Sequence, residues 1–434
     1  MPPLGLAYIA SYLEKNGISV RIIDAIAEQL DFVSLLGTVA DAPDFIGITA
    51  TTMTVKSALE NAAECRKKFP KSTIVLGGVH PTLMPEDVLV NDNVDFVIRG
   101  EGEYSFLDLI NGMEHEKVPG LSYKKDGRFF HNPYGELIKD LDSLPFPAYH
   151  LLPVTKYKAA LGSYKRLPVI SMISTRGCPG KCTFCLGSYL GGHVRMHSVK
   201  YLIDEIKMLQ RDYGIKEISF YDDTFTTYKH KVQEFCKLII EEKMDLTWVC
   251  FARVDFIDET TLKLMKQAGC HQIMYGIESG NEQVLKNIKK MTSLEKAVEM
   301  VALTKRIGIE CRAAFMLGNP GETEETMQQT LEFAKKLDPD IALFNITTPY
   351  PGTEMYAWAE KNNYLKTKDW SLYDLSNAVM ELPTVSSVKV EEFYRKAHKE
   401  FYGRPIYLLK KLLKIRTFGE LKTALKGALA VFNK

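Results

Sequence analysis

Apolar residues fall in short β-branched runs, separated by longer stretches in which they recur every three or four positions. That alternation is the mark of strands interleaved with amphipathic helices. In the first third, residues 19–24, 45–49, 73–76 and 95–98 read as strands. A helix is expected over 4–16, stopped by Gly17 in the C′ position, and another over 55–69, where Ala58, Ala62 and Cys65 share a face. Short strands alternating with helices predict a parallel, doubly wound, flavodoxin-like sheet over residues 1–135. Its carboxyl edge, where such sheets bind ligands, carries Thr49-Ala50-Thr51-Thr52, Gly77-Gly78-Val79-His80 and Arg99-Gly100-Glu101-Gly102-Glu103.

Residues 120–130 alternate around Asp126-Gly127, a β-hairpin signal. The proline-rich stretch 141–149 cannot be regular helix or strand, so residues 136–167 read as a linker. Six further strands are expected at 168–175, 217–221, 247–252, 272–275, 311–317 and 341–347, each followed by a helical stretch. The clearest helix is 198–213, with Ser198 as cap, a stripe of Val199, Leu202, Ile203, Ile206 and Leu209, and Gly214 as stop. Six βα units predict a partial (β/α)6 barrel over 168–370, with a helical extension over 371–434.

Every expected barrel strand ends in a polar or glycine-bearing loop, and barrel chemistry gathers at that rim. In order these loops are Cys178/Cys182/Cys185, Asp222-Asp223-Thr224-Phe225, Arg253-Val254-Asp255, Gly276-Ile277-Glu278-Ser279-Gly280, Gly318-Asn319-Pro320-Gly321-Glu322 and Pro349-Tyr350-Pro351-Gly352-Thr353.

Composition narrows the class. The 434 residues are 46% hydrophobic and 25% charged, with a net charge of +1, which suits a globular protein of two or three domains without a global field for nucleic acid. No apolar run is long enough to cross a membrane and no secretory signal is visible, so a reducing cytoplasm is the expected compartment. Five of the eight cysteines are scattered singly, as buried thiols are, and three cluster within eight residues. Three thiolates on one loop describe a metal site with an open position. The competing reading is a zinc site, which normally takes four protein ligands.

The spacing Cys178-x3-Cys182-x2-Cys185, with Phe184 before the last cysteine, resembles the radical SAM signature. That resemblance implies a [4Fe–4S] cluster on the three cysteines, its fourth iron binding S-adenosylmethionine (SAM), whose reductive cleavage yields a 5′-deoxyadenosyl radical. Carried onto the rim, it implies SAM contacts from Phe184, Asp222, Asp223, Arg253, Glu278, Ser279, Gly318 and Pro320. Arg253 could instead form an ion pair with Asp255 or Glu278, and Tyr350 is a weak catalytic candidate beside a structural role. Pro3-Leu4-Gly5-Leu6-Ala7-Tyr8-Ile9-Ala10, Gly77-Gly78-Val79-His80-Pro81 and Arg99-Gly100-Glu101-Gly102-Glu103 are similar to the cobalamin-binding domain of cobalamin-dependent radical SAM enzymes. The implied cobalamin contacts are Thr49, Thr51, Gly77, Gly78, His80, Gly100 and Glu101. No Asp-x-His-x-x-Gly segment supplies a lower axial histidine, and His80 could equally be a local hydrogen-bonding residue. The family pattern places a strand before the first helix, so the sheet is expected to lack its first, central strand.

The resemblance implies methyl transfer from SAM, through cobalamin, to an unactivated carbon of a small molecule or lipid. A flavodoxin, ferredoxin or reductase is the implied electron donor. Alternatives are a radical cyclase of the Mg-protoporphyrin monomethyl ester type, a tRNA methylthiotransferase, or a non-catalytic corrinoid or iron–sulfur carrier. Methylthiolation is weakened because only Cys65 precedes Cys178. From Arg404 to Lys434 eight basic residues face one acidic, interleaved with leucines. This reads as a terminal helix with a solvated basic face, or as a peripheral contact with anionic membrane. His193 and His197, four apart, would share a helical face and line the mouth or solvent.

Overall fold

The computed structural model describes residues 1–157, 162–187 and 192–414. Two sheets organise it. The first has the order β1 (Phe45–Thr49), β2 (Thr73–Gly77), β3 (Phe96–Ile98), β4 (Leu121–Lys125), β5 (Arg128–His131). Strands β1, β2 and β3 are parallel, in register Phe45↔Thr73 and Val75↔Phe96, while β4 runs antiparallel to β3. The β4–β5 hairpin turns on Asp126 and Gly127, at φ 50° and 73°, the two-residue geometry that matches strand twist. Helix Val55–Lys68 buries Ala58, Ala62 and Cys65 in one core with Leu76 and Val97. On the opposite face, Phe106 of helix Gly102–Ile110 lies 3.2 Å from where a Cβ on Gly47 would stand.

Residues 19–24 are not a strand, contrary to expectation. An extended segment joins a sheet only where a neighbour can take its backbone donors and acceptors. Here β1 is the sheet's edge, and residues 19–24 turn to the second domain instead of joining it. Ile22 packs against that domain's core, and Asp24 accepts a 2.8 Å hydrogen bond from the Tyr157 hydroxyl.

The second sheet is parallel throughout and strictly sequential: β6 (Val169–Met172), β9 (Glu217–Phe220), β10 (Thr247–Ala252), β11 (Cys270–Glu278), β12 (Glu310–Leu317), β13 (Ile341–Ile346). Between β6 and β9 lies a two-stranded ribbon of β7 (Thr175–Arg176) and β8 (Arg195–Met196). Helices Val199–Tyr213, Lys229–Glu241, Glu259–Gln267, Leu294–Ile307 and Glu324–Leu337 fill the crossovers, as parallel strands require. Ser198 caps Val199–Tyr213 through the Tyr201 N–H, and Gly214 ends it in the left-handed region. With β6 and β13 as its edges, the sheet is a partial barrel.

The bridge is stitched to both sides rather than free. Ala148 N–H donates to Ala7 O at 3.0 Å, and the Tyr201 hydroxyl to Pro145 O at 3.1 Å. His197 also departs from expectation. Neither it nor His193 lies on a helix, and His197 is fully buried between Tyr8, Tyr201 and Asp142. At the C-terminus, helix Ser387–Tyr402 packs Phe401 on Phe344, and helix Pro405–Lys414 follows. The rest of the basic tail lies outside the described residues.

The two sheets meet by their carboxyl ends. Beyond β3, Glu101 and Glu103 pair with Arg176 of the ribbon that follows β6, at 2.8 and 2.7 Å. Beyond β2, Leu83 packs against Gly352 beyond β13, so closely that a Cβ on Gly352 would stand 2.6 Å from Leu83 Cδ2. A third tie joins Trp370 to the first domain: its Nε1 donates to Asp87 at 2.7 Å and its ring meets His80 edge-on at 5.3 Å. Joined at these points, the strand-end loops of the two sheets lie against each other.

Candidate functional site

The three clustered cysteines sit on the loop that the β7–β8 ribbon closes, with Thr175↔Met196 and Arg176↔Arg195 as its pairs. The chain must turn tightly to bring all three together, and glycines allow it. Gly177 has φ +97°, and a Cβ there would lie 2.8 Å from His193 O. A Cβ on Gly180 would stand 3.4 Å from Cys178 Sγ and 3.8 Å from Cys182 Sγ, between the two sulfurs. The Gly180 N–H donates to Cys178 Sγ at 3.4 Å and the Gly187 N–H to Cys185 Sγ at 3.3 Å. Backbone donors aimed at sulfur suit thiolates and tune bound clusters. The Thr224 hydroxyl adds a contact to Cys178 Sγ at 3.6 Å. All three thiols are free and at least partly accessible, whereas Cys65, Cys236, Cys250, Cys270 and Cys311 are buried.

Positive charge from two other loops gathers against the cysteines. Arg253 Nη1 is 3.8 Å from Cys182 Sγ; burial raises the Cys182 thiol, and Lys290 and Arg253 oppose that rise without cancelling it. Burial raises Cys185 as well. Arg253 is held by Asp255, which accepts from Nε at 3.0 Å and Nη2 at 2.8 Å, and by Lys290 O at 2.9 Å. The ion pair and the approach to the cysteines are therefore one arrangement. Three thiols with N–H donors and two compensating cations fit a [4Fe–4S] cluster.

Glu278 is positioned by a backbone irregularity. The β11–β12 register slips between Gly276 and Glu278, and Glu278 adopts φ +70°, which a non-glycine residue takes only when its surroundings enforce it. The bulge turns the buried carboxylate onto Lys290 Nζ at 2.8 Å. Gly276 leaves the room, since a Cβ there would lie 2.3 Å from Glu278 Oε1 and 2.9 Å from Lys290 Nζ. Lys290 was absent from the sequence expectations because it follows the short helix Glu282–Asn287 rather than a strand. A lysine in a polar turn gives no signal of burial.

The aspartate pair divides its work. Asp222 is buried, and its Oδ1 accepts from the Ser174 N–H at 2.8 Å, the Ser174 and Thr175 hydroxyls at 3.1 and 2.8 Å, and the Thr175 N–H. Burial raises its carboxyl to about 6. Through Oδ1, Asp222 thus anchors the strand leading into the cysteine loop. Asp223 faces the loop: a Cβ on Gly187 would lie 3.5 Å from its Oδ2.

Other expected contacts have different partners. Ser279 is fully buried against the Thr330 hydroxyl at 3.1 Å, and a Cβ on neighbouring Gly280 would lie 2.6 Å from Phe333 Cβ, so this turn serves helix packing. Gly318, at φ +81°, lets Val390 approach to 3.0 Å of a Cβ position. Pro320 O accepts from Asn287 Nδ2 at 2.9 Å. Beneath it Glu322 is fully buried, bound to Asn319, with its carboxyl raised by burial to about 7. Tyr350 donates to Tyr373 O at 2.8 Å, a structural bond. Phe184 packs half-buried on the barrel core.

On the first sheet, Thr49 and Thr51 are exposed at the carboxyl edge, beside exposed Met53 and Val79. Gly77 and Gly78 run along the same edge. Gly78, at φ +96°, could carry no side chain, because a Cβ would lie 2.7 Å from Ala50 O and from Thr49 Oγ1. An exposed edge of hydroxyls, apolar side chains and bare backbone fits a corrinoid's mixed amide and hydrocarbon face. Three expected contacts do not join it. His80 is fully buried, its ring nitrogens 3.1 Å from Asp87 Oδ2 and 3.4 Å from Thr52 Oγ1. Gly100 N–H donates to the Thr82 hydroxyl at 3.1 Å, and Glu101 is taken up by two arginines.

The family model of the B12 binding domain matches residues 1–110, and that of the radical SAM superfamily residues 172–334. An uncharacterized methyltransferase of Pyrococcus horikoshii, PH0819, is 38% identical over 438 residues, covering 99% of this chain and 94% of its own. The anaerobic magnesium-protoporphyrin IX monomethyl ester cyclase of Rubrivivax gelatinosus is 27% identical, covering 100% of this chain and 79% of its own. Among solved structures, the radical SAM methyltransferase TsrM from Kitasatospora setae, with cobalamin and a [4Fe-4S] cluster bound, shares the fold. Its TM-score is 0.72 at 19% identity, covering 85% of this chain and 76% of its own.

Proposed function

The chain belongs to the radical SAM enzymes that carry an N-terminal B12-binding domain, and on that premise we propose that it transfers a methyl group from SAM to an unactivated carbon of a small molecule or lipid. The observation that carries this reading is the carboxyl-to-carboxyl meeting of the two sheets, tied by Glu101–Arg176 and Leu83–Gly352. Methyl relay needs two cofactor sites facing one acceptor. Two sheets that bind ligands at their carboxyl ends supply that when those ends oppose each other. The relative at 38% identity, a methyltransferase spanning nearly the whole chain, supports the same choice.

When bound, the cluster supplies the electron that cleaves SAM, and cobalamin supplies a cobalt that carries a methyl group. The residues do the rest. Cys178, Cys182 and Cys185 would hold three irons of the cluster and leave the fourth to SAM. Arg253 and Lys290 offset the negative charge of the thiolates, and Glu278 and Asp223 border the place where SAM would lie. Thr49, Thr51, Gly77 and Gly78 would seat the corrinoid at the exposed edge of the first sheet. A flavodoxin, ferredoxin or reductase supplies the electrons. A lipid acceptor would suit the helix Pro405–Lys414, whose Ile406, Leu409 and Leu413 are exposed while Tyr407 anchors it through Asp340 O at 3.0 Å.

A second reading is cyclisation without methyl transfer, supported by the cyclase that aligns over the whole chain. Anaerobic reconstitution with iron, sulfide and cobalamin, followed by SAM, reductant and candidate acceptors, separates the two. Methyl transfer yields 5′-deoxyadenosine together with S-adenosylhomocysteine. Deoxyadenosine alone, with an altered substrate, selects cyclisation. An intact cluster that cleaves no SAM with any acceptor would leave only a carrier.

A further inference from the structure

The segment Arg99-Gly100-Glu101-Gly102-Glu103 ends β3 of the first sheet, yet its carboxylates point to the second domain. Glu101 Oε1 accepts from Arg176 Nη1 at 2.8 Å and Arg195 Nη1 at 2.9 Å. Its Oε2 accepts from Arg195 Nη1 at 2.8 Å and from the Ile138 N–H at 2.9 Å. Glu103 Oε1 accepts from Arg176 Nη2 at 2.7 Å. These groups are largely withdrawn from water, the side chains of Glu101 and Glu103 being 12% and 5% exposed and those of Arg176 and Arg195 18% and 13%.

Arg176 and Arg195 are the facing pair of the β7–β8 ribbon, and all three cysteines belong to the loop that the ribbon closes. A ribbon of two pairs is too short to stand alone. Its facing pair is two guanidiniums, which repel unless an anion lies between them. Glu101 is that anion. The glycines are used up in the same arrangement: Gly100 sits at φ +86°, and a Cβ on Gly102 would stand 3.0 Å from Ile9 Cδ1 of helix Leu4–Lys15. Arg99 lies over the Tyr134 ring at 4.6 Å. Both carboxylates of the motif are thus committed to the second domain.

We propose that Glu101, supported by Glu103, is a positioning residue for the cluster: carboxylates of the B12-binding domain hold both ends of the cysteine loop, so cluster geometry depends on the docked N-terminal domain. This rests on the cluster occupying Cys178, Cys182 and Cys185. It also makes the two cofactor sites one mechanical unit. A displaced N-terminal domain would loosen the loop that binds the irons.

The test uses the full chain in two forms. In the apo protein, hydrogen exchange of residues 177–187 is followed in wild type, Glu101→Gln and Glu101→Asp. In protein reconstituted with iron, sulfide and cobalamin, three quantities are measured: iron release to a chelator, the EPR signal of the reduced cluster with and without SAM, and cobalamin retained after gel filtration. The proposal expects E101Q to speed exchange in this loop and leave β10–β12 protected. Iron release should rise roughly tenfold to a hundredfold, the range found when groups supporting metal ligands are removed. The EPR signal should shift, cobalamin should stay bound, and E101D, which keeps the charge, should fall between. Unchanged exchange and iron release would overturn it, as would lost cobalamin with an unaltered cluster, which would make Glu101 a corrinoid contact. If E101Q does not fold, Arg195→Gln is read the same way. If wild type loads no cluster, the cysteine assignment fails by itself, and exchange of the apo loop still decides the clamp.

Discussion

Lys290 Nζ lies 2.8 Å from Glu278 Oε1, and their side chains are only 8% and 10% exposed. A buried pair of this kind adds little net stability, but losing one partner strands the other charge. Lys290→Met should therefore lower unfolding stability by about 3–5 kcal/mol, read by urea denaturation of the apo protein. The double variant Glu278→Gln, Lys290→Met should recover much of that loss. If the single and double variants unfold at the same urea concentration, the pair is not coupled as its geometry indicates.

Gly276 tests the same site without touching a charge. Alanine there places a Cβ 2.3 Å from Glu278 Oε1 and 2.9 Å from Lys290 Nζ, so both side chains must move. Gly276→Ala should retain iron at wild-type stoichiometry and weaken SAM binding at least tenfold, measured by the SAM-induced change in the EPR spectrum. Wild-type SAM affinity in this variant would remove Glu278 from the SAM site.

Much of this site was legible in the sequence because strand-end loops are punctuated by cysteine, glycine and acidic residues at recognisable spacing. The barrel strands and the Ser198-capped helix follow from periodicity alone. Side-chain direction does not. Motif position placed Asp222, Ser279, His80 and Glu101 at the right rim, yet Asp222 and Ser279 turn inward, His80 is sealed by Asp87 and Trp370, and Glu101 crosses to the other domain. A one-residue alternation along a strand end decides which way a group faces, and bulges such as that at Gly276/Glu278 reset it. Residues 19–24 have strand chemistry, but their neighbour in space, not their composition, decided the outcome.

His197 links the domains by a route that acid should weaken. It is fully buried, with Nδ1 3.1 Å from Asp142 Oδ1, Nε2 3.4 Å from the Tyr8 hydroxyl, and the Tyr201 ring stacked at 4.0 Å. Burial lowers its pKa from 6.5 to about 4, prevailing over the attraction of Asp142 and Asp140 and aided by Arg176. Between those values the unfolded chain binds a proton that the folded chain does not, so stability falls as pH drops from 6.5 to 4. The loss amounts to roughly 3 kcal/mol. His197→Gln should flatten the unfolding profile over that interval while leaving its alkaline side unchanged, and equal slopes for both proteins would refute the assignment.

Glu205 gives the opposite sign in the same interface. It is fully buried on helix Val199–Tyr213, where the Tyr149 hydroxyl donates to Oε1 at 2.8 Å and Oε2 has no partner among the described residues. Burial raises its carboxyl from 4.5 to about 8, against a smaller lowering by the Tyr149 hydrogen bond. The folded chain therefore keeps a proton that the unfolded chain releases. Its contribution is whole below pH 4.5 and is lost progressively as pH climbs to 8. Glu205→Gln keeps an oxygen for Tyr149 and never ionises. Its stability relative to wild type should be nearly unchanged at pH 4.5 and should gain roughly 3–5 kcal/mol by pH 8. Denaturant midpoints at pH 4.5, 6 and 8 would show wild type and variant diverging steadily. Parallel profiles would mean that Glu205 is already ionised in the fold, and that its second oxygen has found a donor.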